Sequence, residues 1–157
     1  MIRKANLHDL PRVLEIYAYA RQFMRNTGNP TQWREGTPAE DTLRRDMAAG
    51  QLYVQEDDGV HAVFALILGA DPTYAKIDGA WLSDAPYATL HRVASDGTRH
   101  GVLNQAVEFA KTQCGHLRID THKDNQIMQR AIAKNGFRYC GVILTDDGTP
   151  RLAYEWV

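Results

Sequence analysis

A glycine-bearing turn between an apolar strand and a helix carries the most informative chemistry of this chain. The strand ends at Ser95, and the turn runs from Asp96 to Gly101. Backbone N–H groups of a turn that leads into a helix point toward one place, where the helix dipole adds partial positive charge. Such a place binds phosphate groups. We therefore predict a site for a phosphate-bearing cofactor at this turn.

Individual residues of the turn have separate predicted roles. The amides of Arg99, His100, Gly101 and Val102 are the expected phosphate donors, and Arg99 would add a charge-assisted hydrogen bond. A Cβ atom at Gly101 would keep the phosphate away from the chain. The alternative is an ordinary strand-to-helix turn, because a single glycine turn is a weak motif. The turn lacks the Gly-Lys-Ser/Thr and three-glycine fingerprints, which argues against NTP hydrolysis and dinucleotide redox chemistry.

The hydrophobic pattern predicts the elements that position this turn. Strands are predicted at residues 2–4, 52–56, 61–68, 88–95, 116–121, 137–144 and 151–156. The first helix is predicted to begin after a cap at Asn6, and the second to cover residues 38–49. The third is predicted to begin at Val102. The fourth is predicted to begin at a cap at Asp124 or Asn125 and to end at Gly136. The Asp-Gly pairs at 58–59 and 147–148 indicate hairpin turns. The order β-α-α-β-β-β-α-β-α-β-β predicts a mixed α/β (α+β) domain with one βαβ unit among hairpins.

Composition limits the class of protein. The chain has 157 residues, of which 44% are hydrophobic, so we expect a single domain over residues 1–157. Its 18 basic and 19 acidic residues give a net charge of -1, which argues against a general nucleic-acid or membrane-surface binder. The chain has no apolar run of membrane-spanning length and no signal-peptide pattern, so we expect a cytoplasmic protein. Cys114 and Cys140 lack metal-type spacing, and no metal site is predicted.

Three motifs resemble those of the Gcn5-related N-acetyltransferase (GNAT) superfamily. They are His91-Arg92-Val93-Ala94, Arg99-His100-Gly101-Val102, and Asp124-Asn125 followed by Lys134-Asn135-Gly136-Phe137. The predicted element order is also similar to that fold, in which helices flank a mixed, mostly antiparallel, twisted sheet. The resemblance covers nearly the whole chain and is greatest to a bacterial branch of the superfamily.

The resemblance implies an N-acetyltransferase that moves an acetyl group from acetyl-CoA to a primary amine, directly within a ternary complex and without a metal. In that family the glycine turn binds the pyrophosphate of CoA, the preceding strand contacts the pantetheine, and an Asn of the fourth helix helps to hold the cofactor. By position these roles fall to Arg99, His100, Gly101, Val102 and Leu103, to Val93, Ala94 and Ser95, and to Asn125. The expected acceptor is a small-molecule or peptide amine, and the expected state is a monomer or homodimer.

Three positions depart from the family pattern. Thr98 stands where the turn usually opens with Arg or Gln, and Leu103 replaces a second small residue. Ile132 stands where the family frequently has a tyrosine that protonates the departing thiolate. These departures favour an alternative function, a non-catalytic acyl-CoA-binding or regulatory module on the same fold.

Aminolysis of a thioester requires a deprotonated amine, a donor to the carbonyl oxygen and a proton for the sulfur. His91 is a candidate to relay the amine proton through water, because an imidazole titrates near neutral pH. Its alternative role is a strand histidine that is hydrogen-bonded in the core. Tyr139 and Tyr154, on the closing hairpin, are candidate donors to the thiolate or simply half-buried aromatic residues. A backbone amide near Ala94 would polarise the carbonyl oxygen.

Three aromatic residues lie in or beside segments that are predicted to be irregular: Trp33, Trp81 and Tyr87. Aromatic side chains on loops often form the wall of a substrate pocket, so these three are the predicted substrate-binding residues. The alternative is that they fasten the loops to the core.

Overall fold

A computed structural model describes all residues from 1 to 157. The strands are β1 (Ile2–Lys4), β2 (Leu52–Glu56), β3 (Val60–Leu68), β4 (Asp78–Gly79), β5 (Ala88–Ser95), β6 (Leu117–Thr121), β7 (Arg138–Leu144) and β8 (Pro150–Trp156). The α-helices are α1 (Leu10–Asn26), α2 (Glu40–Ala48), α3 (Val102–Gln113) and α4 (Gln126–Lys134). Two short 3-10 turns cover Leu7–Asp9 and Pro72–Tyr74.

The eight strands form one sheet in the hydrogen-bonded order β1-β2-β3-β5-β6-β8-β7-β4. Strands β5 and β6 run parallel. The pairs β1–β2, β2–β3, β4–β7, β6–β8 and β7–β8 are antiparallel. This mixed, mostly antiparallel sheet with its helices confirms the predicted fold class. The predicted element order is correct apart from one additional strand.

The additional strand is β4, which lies within the span 69–86 that was predicted to be irregular. Gly79 of β4 pairs with Gly141 of β7. A Cβ atom at Gly79 would clash with the carbonyl oxygen of Cys140, and one at Gly141 would clash with that of Asp78. The two facing glycines therefore permit a close approach of two backbones. The sequence contains no signal for this strand, because two residues are too few for a periodic pattern.

Local signals in the sequence locate the ends of several other elements correctly. Asn6 and Asp9 form the predicted capping box before α1. Asp58 and Gly59 both have positive φ in the β2–β3 turn, as the Asp-Gly pair predicts. Gly136 has a φ of 87° just after α4 ends. None of the helices is both long enough and apolar enough to cross a membrane.

The residues group into two compact units. The first unit comprises residues 1–66 and 91–102, and the second comprises residues 67–90 and 103–157. The expectation of one N-acetyltransferase-like domain over the whole chain stays a prediction. In the first unit, α1 buries the side chains that recur at helical spacing, namely Leu10, Val13, Ile16, Tyr17, Ala20 and Met24. In the second unit, α3 buries Leu103, Ala106, Val107 and Ala110.

Candidate functional site

The turn from Asp96 to Gly101 is held firmly at its base within the first unit. The Asp96 amide donates to the carbonyl oxygen of His61 at 3.0 Å. Asp96 Oδ1 accepts hydrogen bonds from the Thr98 amide (2.9 Å) and hydroxyl (2.6 Å), and Asp96 Oδ2 accepts from Arg12 at 2.5 Å. Burial favours a higher pKa for Asp96, but the Thr98 hydrogen bonds and the Arg12 charge outweigh the effect of burial. The pKa of Asp96 is therefore lowered. Asp96 is thus a charged anchor for the turn.

Beyond Thr98 the turn presents backbone donors that the protein does not use. Arg99, His100 and Gly101 are exposed, and their amides have no hydrogen-bond acceptor in the protein. Gly101 has a φ of +72°, and the place that a Cβ would occupy is open space. Helix α3 begins at the next residue, so the dipole of the helix adds to the positive potential. These residues fit the phosphate-binding role that their sequence predicts.

The Arg99 side chain extends toward the β2–β3 turn of the same unit. Its Nη2 donates to the carbonyl oxygen of Asp57 at 3.0 Å, and its Nε lies 3.5 Å from the Asp57 carboxylate. Both side chains are substantially exposed, and such a pair contributes only about 0–1 kcal/mol. A phosphate group can therefore compete for Arg99 at small cost.

Strand β5 contains a local distortion at Arg92, whose φ is +53°. A non-glycine residue with this backbone conformation is held by its surroundings and is enriched at functional sites. The Tyr17 hydroxyl donates to the Arg92 carbonyl oxygen at 2.7 Å, and the Arg92 guanidinium forms two hydrogen bonds of 2.9 and 3.0 Å with Asp46. Burial raises the pKa of Tyr17, so its hydroxyl remains a donor. Sequence analysis missed this arrangement, since no spacing links residues 17, 46 and 92.

The predicted catalytic and pantetheine-binding residues of β5 surround this distortion. His91, Val93 and Ser95 are half-buried, and Ala94 is buried. In the same unit the Trp33 ring lies 5.5 Å from the Tyr17 ring, in an edge-on arrangement. The structure thus brings Trp33 next to the tyrosine that holds β5, whereas the roles of His91 and Trp33 toward ligands stay predictions.

Trp81 and Tyr87 meet around one cation of the second unit. The Arg118 guanidinium carbon lies 3.9 Å from the centroid of the Trp81 ring and 4.0 Å from that of Tyr87. Trp81 Nε1 also donates to the Tyr74 carbonyl oxygen at 3.0 Å. These contacts fasten the segment 71–87 to β6, as the alternative interpretation of these aromatic residues expects. Their role in binding the acceptor stays a prediction.

Arg118 belongs to a buried ionic network that sequence analysis did not find. The completely buried Glu155 carboxylate accepts a hydrogen bond of 2.7 Å from Arg118 Nε and one of 2.5 Å from the Leu82 amide. It also lies 2.6 Å from His116 Nε2, while His116 Nδ1 lies 3.0 Å from the Ala85 carbonyl oxygen. Burial favours a higher pKa for Glu155, but its hydrogen bonds and the Arg118 charge outweigh the effect of burial. The pKa of Glu155 is therefore lowered. The network ties the Trp81–Tyr87 segment to β8.

Tyr139 and Tyr154 face each other across β7 and β8. Their ring centroids are 5.6 Å apart, and Tyr139 is 57% exposed whereas Tyr154 is 8% exposed. Burial, followed by the neighbouring Tyr139, raises the pKa of Tyr154, so this phenol keeps its proton at neutral pH. Both residues share a face of the sheet with Ile119, because Tyr154 and Ile119 are paired in register. Proton donation to a thiolate stays a prediction for both.

Asn125 and Ile132, the two positions at α4 to which the resemblance draws attention, both have structural roles. Asn125 Oδ1 accepts a hydrogen bond of 3.1 Å from the Met128 amide, which confirms Asn125 as the N-cap of α4. The Ile132 side chain of α4 is completely buried. Asn125 is therefore well fixed for its predicted cofactor contact, and Ile132 offers no proton.

His61 is a buried base directly beneath the turn. It is 6% exposed, and its Nδ1 has no hydrogen-bond partner in the protein. Burial and then the Arg99 charge lower its pKa, against the smaller influence of Asp96. The unfolded chain binds a proton at this position near the ordinary pKa of about 6.5, whereas the folded chain does not. We therefore expect the free energy of unfolding to decrease as the pH falls below about 6.5.

Urea denaturation between pH 5 and pH 8 measures this dependence. We expect the slope of unfolding free energy against pH to be smaller in His61→Asn than in the wild type. His122, whose pKa is also lowered chiefly by burial, should account for part of the remaining slope. His8→Asn, at an exposed position, is the control. An unchanged slope in His61→Asn would contradict the assignment.

Comparison with known proteins identifies the fold and the family. The chain is 31% identical to an acetyltransferase of the GNAT family from Streptococcus agalactiae, with a TM-score of 0.88 and coverage of 100% of this chain and 94% of that chain. It shares its fold with a solved structure from Staphylococcus aureus at 21% identity and a TM-score of 0.71, covering 99% of this chain and 97% of that chain. No family model matches the sequence, and no curated protein matches it. The identity and the nearly complete coverage show that this chain belongs to the GNAT family of acetyltransferases.

Proposed function

We propose that this protein transfers the acetyl group of acetyl-CoA to a primary amine by direct transfer in a ternary complex. The observation that carries the proposal is the exposed turn before α3, where the amides of Arg99, His100 and Gly101 have no acceptor in the protein. These donors, the open space at Gly101 and the helix dipole suit a pyrophosphate. Membership of the GNAT family makes CoA the expected carrier of that pyrophosphate.

The cofactor contacts in this proposal are those that the family resemblance implies. The backbone amides from Arg99 to Leu103 hold the pyrophosphate. Val93, Ala94 and Ser95 contact the pantetheine, and Asn125 supports the cofactor from the start of α4. Bound acetyl-CoA supplies the thioester whose acetyl group is transferred.

The remaining groups move protons or orient the acceptor. His91 accepts the proton of the amine through a water molecule. A backbone amide near Ala94 donates to the carbonyl oxygen. Tyr139, Tyr154 or solvent returns a proton to the sulfur, because a thiol has a pKa of only about 8.5. Trp33, Trp81 and Tyr87 form walls for the acceptor, which is a small-molecule or peptide amine.

A second candidate function is a non-catalytic acyl-CoA-binding or regulatory module. The buried Ile132 favours it, since this position has no hydroxyl to protonate a leaving thiolate. Isothermal titration with acetyl-CoA, CoA and ATP, followed by an amine panel in which free thiol is monitored, separates the two functions. Tight binding of CoA species without turnover would support the module. Failure to bind either CoA species would contradict both functions.

Replacing Gly101 by Asn tests the position of the pyrophosphate. Asn tolerates the positive φ of this residue but fills the open space beside it. We expect acetyl-CoA to bind roughly tenfold more weakly, which corresponds to about 1.4 kcal/mol. Isothermal titration measures the change, and Gly28→Asn, at another positive-φ glycine with open space, is the matched control. An unchanged dissociation constant in Gly101→Asn would place the cofactor elsewhere.

A further inference from the structure

Gln55 is a completely buried polar residue of the first unit that has no part in the chemistry proposed above. It lies on β2, where it pairs in register with Ile2 of β1 and with Ala62 of β3. Its side-chain amide donates from Nε2 to the Val102 carbonyl oxygen at 2.9 Å. Its Oε1 is buried and has no hydrogen-bond partner in the protein. The sheet therefore contains an amide side chain with only one of its two ends paired.

Stability alone gives no reason for a glutamine at this position. A buried carbonyl oxygen without a donor typically costs more free energy than one hydrogen bond between uncharged groups returns. The Val102 carbonyl belongs to the first turn of α3, so it would keep its helical hydrogen bond without Gln55. An apolar side chain of the same length would bury a similar area and leave no oxygen unpaired. Such a local cost is expected where a residue serves function rather than folding.

The hydrogen bond from Gln55 fixes one end of the predicted phosphate-binding turn. Val102 is the first residue of α3 and directly follows the turn. At the other end, the Asp96 amide donates to the carbonyl oxygen of His61 on β3. The neighbouring strands β2 and β3 therefore hold the segment 96–102 at both ends, whereas the exposed centre of the segment keeps its amides free.

The same hydrogen bond sets the direction of an amide that faces the turn. In an α-helix the carbonyl groups point toward the C-terminal end and the N–H groups toward the N-terminal end. Because Gln55 holds the Val102 carbonyl, it also fixes the Val102 amide to point toward the turn. That amide has no acceptor in the protein, and it is one of the expected phosphate donors. Donors that are fixed before a ligand arrives lose less entropy on binding.

We propose that Gln55 is a positioning residue for phosphate binding at the turn before α3. It holds the first residue of α3 so that the amides from Arg99 to Val102 converge on one anion. The side chain must supply a donor that reaches Val102 from β2, and glutamine supplies one without burying a charge. This inference rests on the phosphate site of the proposed function, and it assigns no contact between Gln55 and the ligand.

Replacing Gln55 by Met tests the inference, because Met has a similar length, offers no donor and leaves no oxygen unpaired. We expect Gln55→Met to bind acetyl-CoA about tenfold more weakly in isothermal titration. Its urea unfolding midpoint should equal or exceed that of the wild type. Thr89→Val is the matched control, because Thr89 is 1% exposed and its hydroxyl has no partner in the protein. This variant also removes a buried unpaired oxygen, but it should keep the wild-type dissociation constant.

Order parameters from 15N relaxation report the cause of the weaker binding. In the protein without ligand, the amides of His100, Gly101 and Val102 should become more mobile in Gln55→Met and stay unchanged in Thr89→Val. A purely structural role of Gln55 predicts instead a lower unfolding midpoint and an unchanged dissociation constant. That result would overturn the inference.

Sulfate separates a failure of this inference from a failure of the proposed function. It has the shape and charge of a phosphate group but no part of CoA, and the amide resonances of Arg99 to Val102 report its binding. If acetyl-CoA fails to bind while sulfate binds the wild type more tightly than Gln55→Met, only the proposed function fails. If acetyl-CoA binds both proteins equally, only this inference fails. If neither ligand shifts these resonances in the wild type, both fail.

Discussion

Replacing Glu155 by Gln is expected to lower the free energy of unfolding by about 3–5 kcal/mol, because it leaves a buried cation without its counter-charge. The Glu155 side chain is completely buried, and that of Arg118 is only 6% exposed. The carboxylate accepts hydrogen bonds from Arg118 and from the Leu82 amide, and it lies 2.6 Å from His116 Nε2. One substitution therefore weakens three contacts. Urea denaturation monitored by tryptophan fluorescence measures the loss.

Two further variants show whether charge burial is the cause. The double variant Arg118→Met, Glu155→Leu removes both charges together and should be more stable than Glu155→Gln, because no buried charge is left unpaired. Glu108→Gln removes an exposed carboxylate that is paired with Lys111, and should change stability by no more than about 1 kcal/mol. A loss below 1 kcal/mol in Glu155→Gln would show that the network is not important for stability.

Replacing His91 by Ala is expected to lower kcat about 100-fold, which corresponds to about 2.7 kcal/mol of activation free energy. The physical reason is the loss of the group that accepts the amine proton in the proposed function. His91 lies next to the distorted Arg92 on β5, a strand that Tyr17 holds from α1. The measurement is the pH dependence of the acetylation rate, in which the limb produced by an imidazole base should disappear.

The affinity for acetyl-CoA distinguishes a loss of chemistry from a loss of structure. We expect His91→Ala to keep the wild-type dissociation constant and the wild-type unfolding midpoint. His8→Ala, at an exposed position of the first unit, serves as the control and should keep full activity. A pH-rate profile of unaltered shape in His91→Ala would reject the base role and favour a histidine that only supports the strand.

Much of the fold follows from local patterns in the sequence. The Asp-Gly pair before β3 requires positive φ, and the Asn6 and Asp9 side chains can satisfy the first amides of a helix only at that spacing. Such signals extend over a few residues, so they can be interpreted before any tertiary contact is known. The strand β4 has no signal of this kind, because it depends on the approach of Gly79 to a glycine 62 positions later.

The same distinction holds for the candidate site. The turn before α3, the cap at Asn125 and the resemblance that indicated acetyl-CoA could all be predicted from the sequence, since each depends on neighbours along the chain. Three features became visible only in the folded chain: Arg92 has positive φ, Trp81 and Tyr87 contact Arg118, and Tyr74 donates to Asp120. Tyr74 and Asp120 are 46 residues apart. Pairs of this kind form when packing removes water from both groups, and no spacing in the sequence predicts which groups will then meet.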